Sequence, residues 1–329
     1  MAQAWTLTNR PKGLPEPSDF ALVEQPSARL EEGEVRVANR WLSVDPYMRG
    51  RMNDVKSYVP PFELGQPMQG HALGEVVESR VASVPVGTMV SHMAGWRDEA
   101  VLPGDQVQAL PPIDVAPQAF LGQLGMPGMT GYFGLLTVAE ARPGDTVFVS
   151  AAAGAVGSTV VQLAKAKGMT VIGSAGGAEK CAWVREIGAD AVVDYKSGRP
   201  LVEALGEAAP KGIDVYFDNV GGDHLDAALA HARLRARFAI CGMIEVYNEA
   251  KPTSLRHLAQ MIGKRIRMQG FIVSDYLDRA GEFYADMGDL VKNGALQRQE
   301  TVFEGIDATP RAFLSLFSGG NTGKMLIKL

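Results

Sequence analysis

Thr146-Val147-Phe148-Val149-Ser150-Ala151-Ala152-Ala153-Gly154-Ala155-Val156-Gly157 is the stretch on which the fold turns. Its first five residues form an apolar run of the length of a buried strand, and the run breaks into a turn of small residues. Beyond the turn, Val156, Val160 and Ala164 recur four apart on one helical face, with Gly168 as the stop. Aligned on G-x-G-x-x-G, Ala152 takes the first glycine position, Gly154 the second and Gly157 the third. Gly154 must be bare for backbone to approach a pyrophosphate, and Gly157 small for helix to pack on strand. The unpaired N–H groups of the helix N-terminus then face the anion. A turn of small residues also serves plain tight turns. Here it opens the first of several strand–helix units, the context that makes it a dinucleotide site.

Downstream, the strand candidates are 170–172, 191–193, 213–217, 238–240 and 268–273, preceded by the turn Pro143-Gly144-Asp145 before the first strand. Six strands separated by helical stretches predict an α/β unit with a doubly wound parallel sheet, since crossover helices must cover both faces. Upstream of about residue 125 the chain reads as a compact, mostly β domain. Strand-like stretches at 34–44, 74–77 and 86–90 are broken by turns such as Pro60-Pro61 and Pro103-Gly104-Asp105. The tail adds a helix over 310–317 and a strand over 325–329, expected to return to the first domain. The division is therefore residues 1–124 with 300–329, and residues 125–299.

The 329 residues carry a net charge of −5, which favours neither nucleic acid nor an anionic membrane surface. With 46% hydrophobic and 21% charged residues the composition is that of a globular chain. No apolar run approaches the roughly 18 residues of a membrane helix, and the N-terminal residues lack the pattern of a signal peptide. Cys181 and Cys241 are the only cysteines, too few for a disulfide framework or a thiolate zinc cluster. A reducing, cytoplasmic setting is the expectation.

The nucleotide follows from the end of the second strand. An NAD site wants an acid there for the ribose hydroxyls, but Ile172-Gly173-Ser174-Ala175-Gly176-Gly177-Ala178-Glu179-Lys180 offers none at that point. Small residues leave room for a 2′-phosphate, and Lys180 supplies charge to it. A cation near a helix N-terminus is unfavourable unless an anion offsets it. NADPH is the expected cofactor. No metal is expected: Gly70-His71-Ala72-Leu73-Gly74-Glu75 is similar to the region where zinc alcohol dehydrogenases carry Gly-His-Glu, but the acid is replaced by Ala72 and one histidine cannot hold zinc. His71 reads as a hydrogen-bonded structural histidine. The stretch Gly319-Gly320-Asn321-Thr322-Gly323-Lys324 has a faint likeness to a phosphate loop without its spacing. Arg233, Arg235, Arg237, Lys264 and Arg265 read as solvated surface.

Taken together, Asp45-Pro46-Tyr47-Met48-Arg49-Gly50-Arg51-Met52, Leu124-Gly125-Met126-Pro127-Gly128-Met129-Thr130-Gly131-Tyr132, the glycine turn, Phe217-Asp218-Asn219-Val220-Gly221-Gly222, Cys241-Gly242-Met243-Ile244 with Tyr247-Asn248, and Asn321-Thr322-Gly323-Lys324 resemble the zinc-independent medium-chain dehydrogenases/reductases. The likeness covers almost the whole chain and is to the leukotriene B4 12-hydroxydehydrogenase/prostaglandin reductase group with its bacterial curcumin reductase-like relatives. It implies a GroES-like catalytic domain, a Rossmann domain and a homodimer built by joining sheet edges. It also implies roles: Gly154, Ala155, Val156 and Gly157 on the pyrophosphate, Lys180 and Tyr195 on the 2′-phosphate. Asn219, Cys241, Gly242, Met243, Ile244 and Tyr247 would lie along the ribose and nicotinamide. Phe271, Ile272 and Val273 would border the nicotinamide, and Asn321 would close over the cofactor. Tyr47, Met48, Met126 and Tyr247 would face substrate. One departure stands out: Glu245-Val246 precede Tyr247 where the family has small polar residues.

Without the resemblance, Tyr195 reads equally as a half-buried strand-end tyrosine, Asn219 as a turn former and Tyr247 as a loop aromatic. Tyr47, Met48 and Met126 then read as core. The expected reaction is NADPH-dependent reduction of the carbon–carbon double bond of an α,β-unsaturated ketone or aldehyde. Hydride passes to the β-carbon, and the hydroxyl of Tyr247 and, by the resemblance, the cofactor's ribose 2′-hydroxyl hold the developing enolate oxygen. Protonation of the α-carbon by water or a tyrosine completes it. A quinone reductase, an NADP-dependent alcohol oxidation and a non-catalytic NADPH-binding protein are the alternatives.

Overall fold

The computed structural model describes residues 1–248 and 254–329 and divides them into two units, Met1–Leu121 with Glu300–Leu329, and Gly122–Gln299. In the first unit β1 (Ala2–Leu7) and β2 (Phe20–Gln25) pair antiparallel. A second sheet begins with β3 (Glu34–Ser43), whose alternation buries Val35 and Val37 between more polar neighbours. After the single turn α1 (Met48–Arg51) come β4 (Ala72–Ser79), β5 (Met89–His92), β6 (Glu99–Pro103) and β7 (Gln108–Ala109).

The second unit opens with α2 (Met126–Phe133), which runs into a π-helical turn over Gly134–Val138. Strand and helix then alternate: β8 (Thr146–Val149), α3 (Ala155–Ala166), β9 (Thr170–Ala175), α4 (Ala178–Glu186), β10 (Ala191–Asp194), α5 (Leu201–Ala208), β11 (Ile213–Asp218) and α6 (Gly222–His231). The series continues with β12 (Ala232–Ile240), α7 (Gln260–Lys264), β13 (Arg267–Gly270) and α8 (Ala280–Lys292). The six strands are all parallel, in the order β10-β9-β8-β11-β12-β13. This is the doubly wound order in which the chain starts in the middle and winds outward both ways. Central β8 is apolar without alternation because helices cover both faces, and Val147, Phe148 and Val149 have no exposed surface. Phe148 stacks on Tyr216 with ring centroids 5.2 Å apart. Gly168, at φ +78° just beyond the C-cap of α3, stops that helix as expected.

The tail holds β14 (Glu300–Glu304), α9 (Thr309–Leu316) and β15 (Lys324–Lys328). β15 lies between β14 and β3, so the last strand does return to the first sheet, in the order β14-β15-β3-β4-β5-β7. The core of this unit is built on Leu42, Met48, Trp96, Phe313 and Ile327. Lys324, the lysine of the faint phosphate loop, is 4% exposed. Its Nζ donates to Asp45 Oδ1 (3.0 Å), Val44 O (3.1 Å) and Met325 O (2.9 Å), so it pins β15 to the loop after β3.

Three strand expectations shift. Residues 86–88 form a turn around Gly87 (φ +86°), and the strand starts at Met89. β13 ends at Gly270, because a 3-10 turn over Val273–Arg279 follows. β12 begins at Ala232, well ahead of the apolar run at 238–240. Its start was hidden by the arginines and by a register shift at Arg235, whose φ is +63°. These arginines are not simply solvated: Arg233 pairs with Asp214 (2.6 Å) and Arg237 with Asp145 (2.7 Å). Lys264 likewise donates to the carbonyls of Leu229 and Ala230 in the last turn of α6.

Candidate functional site

The sheet reverses its winding between β8 and β11, and a doubly wound sheet binds ligands outside the carboxyl ends of its strands at that point. Ser150, just past β8, accepts the Asn219 amide on its hydroxyl at 2.9 Å, and its carbonyl accepts Asn219 Nδ2 at 2.8 Å. The two strand ends are thus stitched together directly. The residue that takes the left-handed conformation in the turn is Ala151 (φ +47°), one ahead of the first position of the motif alignment. Its carbonyl decides which neighbours must be glycine. A Cβ on Gly157 would overlap that oxygen and stand 2.8 Å from Ala152 Cα, so only a bare residue lets α3 lie this close to the turn. A Cβ on Gly154 would meet the same oxygen at 3.2 Å, a tight but tolerable contact. Gly154 is the N-cap of α3, with no side chain over the helix end. Within the second unit the amides of Ala155, Val156 and Gly157 find no backbone acceptor, as the first amides of a helix do not, and such a helix end favours an anion.

At the ends of β9 and β10 a second cluster forms. Asp194 Oδ1 accepts the amides of Gly177 and Lys196 at 2.9 Å each, which folds the loop after β10 over the loop after β9. A Cβ on Gly176 would stand 2.6 Å from the Tyr195 hydroxyl and 3.1 Å from Lys196 Cε. Tyr195, 40% exposed, packs edge-on against the His224 ring, centroids 5.3 Å apart. His224 is itself bonded to Ser174 Oγ at 2.9 Å, and burial pushes its pKa down to about 4. Lys180, in the first turn of α4, has its pKa lowered by burial and then by Lys196. Two lysines therefore bring positive charge to one small loop. Sequence reading missed Lys196; the signal was there, a second cation directly after Tyr195.

The third cluster lies at the ends of β11 and β12. Asp218 is fully buried, and its Oδ1 accepts Tyr216 Oη (2.7 Å), Ser150 Oγ (3.2 Å) and the amides of Val220 (2.9 Å) and Gly221 (2.8 Å). Oδ2 has no partner among the described residues, and burial raises the carboxyl pKa despite those donors. Asp218 was quoted in the motif without a role; here it shapes the loop that presents Asn219. The Asp218 carbonyl accepts Cys241 and Gly242 N–H, Asn219 O accepts Ile244 N–H, and Val220 O accepts Glu245 N–H. The loop 241–245 is thereby laid along the loop 218–222. Met243 packs on Gly221, and a Cβ on Gly242 would stand 2.9 Å from the Tyr247 hydroxyl. Burial pushes the Cys241 thiol up to about 12, so it stays protonated and unreactive. Phe271 lies edge-on to Phe217, centroids 6.2 Å apart, and both rings crowd Gly134 in the π-helical turn. Ile272 and Val273 follow it, half-buried, into the 3-10 turn, and Met126 is half-buried at the start of α2.

The remaining candidates belong to the first unit. Tyr47 is half-buried, its hydroxyl has no partner among the described residues, and burial raises its pKa. Asn321 is half-buried and donates to Gly323 O at 2.8 Å. Met48 is corrected: with no exposed surface it belongs to the core, where it touches Gly70, and presents nothing to a substrate. His71 is corrected too: its ring makes no hydrogen bond among the described residues, and burial lowers its pKa. Among the described residues no three His, Cys, Asp or Glu side chains are grouped to hold a metal.

Residues 3–110 match a family model described as the N-terminal domain of oxidoreductase, and residues 155–293 one described as zinc-binding dehydrogenase. The NADPH-dependent curcumin reductase of Escherichia coli is 41% identical over 99% of this chain and 96% of its own length. The 2-alkenal reductase (NADP(+)-dependent) of Nicotiana tabacum is 39% identical over 98% of this chain and 95% of its own. The crystal structure of CurA in complex with NADPH from Vibrio vulnificus superposes with a TM-score of 0.94 at 40% identity, covering 99% of this chain and 98% of that one. Likeness of this extent, on a doubly wound unit with the glycine turn at its switch point, places the chain among the medium-chain dehydrogenases/reductases, in the zinc-independent group that holds curcumin reductase and 2-alkenal reductase.

Proposed function

We propose that the protein is an NADPH-dependent reductase of the carbon–carbon double bond in α,β-unsaturated ketones and aldehydes. The observation that carries this reading is the arrangement at the switch point. The N-terminus of α3, a lysine pair beside Tyr195 and a tyrosine hydroxyl over Gly242 sit at the carboxyl ends of β8, β9, β10 and β12, on the same edge of one sheet. The residues fit the cofactor: the amides of Ala155, Val156 and Gly157 suit its pyrophosphate, and Gly154 leaves the approach bare. Lys180, Lys196 and Tyr195 suit a 2′-phosphate, since cations and a hydroxyl donate where an acid would repel. Asn219, Cys241, Gly242, Met243 and Ile244 form the wall for ribose and nicotinamide in this reading, with Phe271, Ile272 and Val273 beyond. Bound NADPH supplies the hydride.

Tyr247 donates a hydrogen bond to the carbonyl oxygen, which gains charge as the double bond is reduced at its β-carbon. A donor placed in advance is worth far more than one recruited from water. Tyr47 and Met126 border the substrate, and a tyrosine or water protonates the α-carbon. The reading implies the cytoplasm, where NADPH is supplied. It also takes the chain to be a homodimer joined at the sheet edge, with β13 as the edge strand of the six-stranded sheet.

The test is loss of NADPH absorbance at saturating cofactor with a medium-chain enone and a quinone in parallel. Loss with the enone, yielding the saturated ketone, is expected. Loss with the quinone alone makes it a quinone reductase, and binding without turnover makes it an NADPH-binding protein.

A further inference from the structure

The loop that carries Tyr247 departs from the family at Glu245, and the structure gives that side chain a specific seat. A Cβ on Gly222 would overlap both carboxylate oxygens and Cδ of Glu245. Gly222 is the first residue of α6, a helix of ten residues whose N-cap, Gly221, has no side chain to cap it. The carboxylate of another segment therefore rests on the helix end where a capping acid would sit, with the sign that the helix dipole favours. Gly222 is held at φ +49° and is buried, so a bare left-handed residue is what makes room for the acid. At and before Glu245 the loop meets the segment that leads into α6: Glu245 N–H donates to Val220 O, and Met243 packs on Gly221. Tyr247 follows directly, its amide donating to Ile244 O and its hydroxyl standing over Gly242.

We propose that Glu245 is a positioning residue, whose carboxylate seats the Tyr247 loop on the N-terminus of α6 and so fixes the hydroxyl that binds the substrate carbonyl. This deepens the reductase reading and rests on it. The side chain is largely exposed, so its hold is that of a charge at a helix terminus. Converted to rate, that is a loss of roughly two- to fivefold.

The experiment compares wild type, Glu245→Gln, Glu245→Asp, Glu245→Ala, Tyr247→Phe and the double variant Glu245→Ala/Tyr247→Phe. Enone turnover, NADPH affinity and hydrogen exchange over residues 241–248 are measured on each. Glu245→Ala is expected to lower kcat by the factor above, leave NADPH affinity within about twofold and speed exchange in that loop. Glu245→Gln, which keeps the shape but removes the charge, recovers only a small part of the loss, whereas Glu245→Asp, which keeps the charge, recovers more. In the Tyr247→Phe background removal of Glu245 costs nothing more, because groups that act through one another are not additive. Unchanged exchange in Glu245→Ala overturns the seating, whatever the turnover. A full extra loss in the double variant overturns the link to Tyr247. Absence of enone turnover in wild type, with exchange still accelerated by Glu245→Ala, overturns the reductase reading and leaves the seating standing.

Discussion

Gly154 and Gly157 lie three residues apart and pass the same carbonyl, yet the structure assigns them separable jobs. In Gly157→Ala the new methyl meets backbone, the oxygen of Ala151 and the Cα of Ala152, which cannot rotate aside. Overpacking of that kind costs about 1–3 kcal/mol, and an immovable obstacle belongs at the upper end. Alanine returns about 1 kcal/mol as the better helix former, so the net loss is about 2 kcal/mol. For a unit of this size that is a fall in Tm of about 4–8 °C. Gly154→Ala differs on both counts. Gly154 has φ −83° and ψ 175°, extended backbone open to any residue, and the nearest atom to its methyl would be Ala151 O at 3.2 Å. Stability should stay within about 1 kcal/mol of wild type, the usual difference between glycine and alanine at an N-cap. The methyl, however, is added at the N-cap of α3, where the pyrophosphate is proposed to approach. Wild type at NADPH a hundredfold above its Kd should gain about 2.7 kcal/mol, and Gly154→Ala should lose most of that gain. The assay is a thermal melt of each variant with and without NADPH, with a fluorescence titration for affinity. Undiminished NADPH affinity in Gly154→Ala would refute the approach of pyrophosphate over Gly154. A Gly157→Ala melt equal to wild type would refute the helix–turn contact.

Three further outcomes are expected. Lys180→Ala and Lys196→Ala should each weaken NADPH far more than NADH in direct titration, and an unchanged preference between the two would remove the lysine pair from the 2′-phosphate. Acid should destabilise the fold through its buried histidines. His92 and His224 have pKa values pushed down to about 4 by burial, against about 6.5 in an unfolded chain. Between those values the unfolded state binds more protons, so stability present above pH 6.5 is lost as pH falls towards 4, by up to about 3 kcal/mol for each ring. A urea midpoint unchanged from pH 7 to pH 4.5 would contradict this. Lys324→Met should leave the buried Asp45 carboxylate without its cation and lower stability by about 3–5 kcal/mol; a melt within a degree of wild type would show that the pair anchors nothing.

The central sheet was legible because its strands are buried on both faces and read as apolar runs; 146–150, 191–193 and 213–217 each fall on an observed strand. β12 was legible only in part, since arginines bonded to acids on neighbouring elements interrupt its pattern and no periodicity records an ion pair made across the fold. In the site, the glycine turn was legible from the motif and its strand–helix context, whereas Tyr195 entered only through the resemblance, since the residues alone read equally as a strand-end tyrosine. Lys196 stood in the sequence as a second cation directly after Tyr195, but its approach to Lys180 depends on Asp194 gathering two loops, which no local pattern records. Met48 illustrates the opposite failure: a motif residue beside Tyr47 was carried to the substrate wall, whereas the turn at Met48–Arg51 sends it inward. The lysine at 324 looked like phosphate chemistry and is a buried anchor, a distinction that only its partners make.

The three clusters at the strand ends share one device: at each, a glycine stands where a neighbouring group leaves no space for a Cβ. Gly157 admits the carbonyl of Ala151, Gly176 the ring of Tyr195, Gly222 the carboxylate of Glu245 and Gly242 the hydroxyl of Tyr247. The first of these contacts is backbone against backbone and serves the cofactor turn, which must be the same whatever the substrate. The others are glycine against side chain, and a side chain can change while the bare Cα remains. The turn that holds the cofactor is thus fixed at Gly157, where backbone leaves no room for a side chain. The loop at 241–248 is held by backbone hydrogen bonds to residues 218–220 and, beyond them, by the particular side chains that fill its glycine seats. Variation at 245 and 246 then alters the reach of Tyr247 without disturbing the sheet beneath it, which is the physical reason for looking to Glu245 rather than to the glycine turn for the substrate preference of this chain.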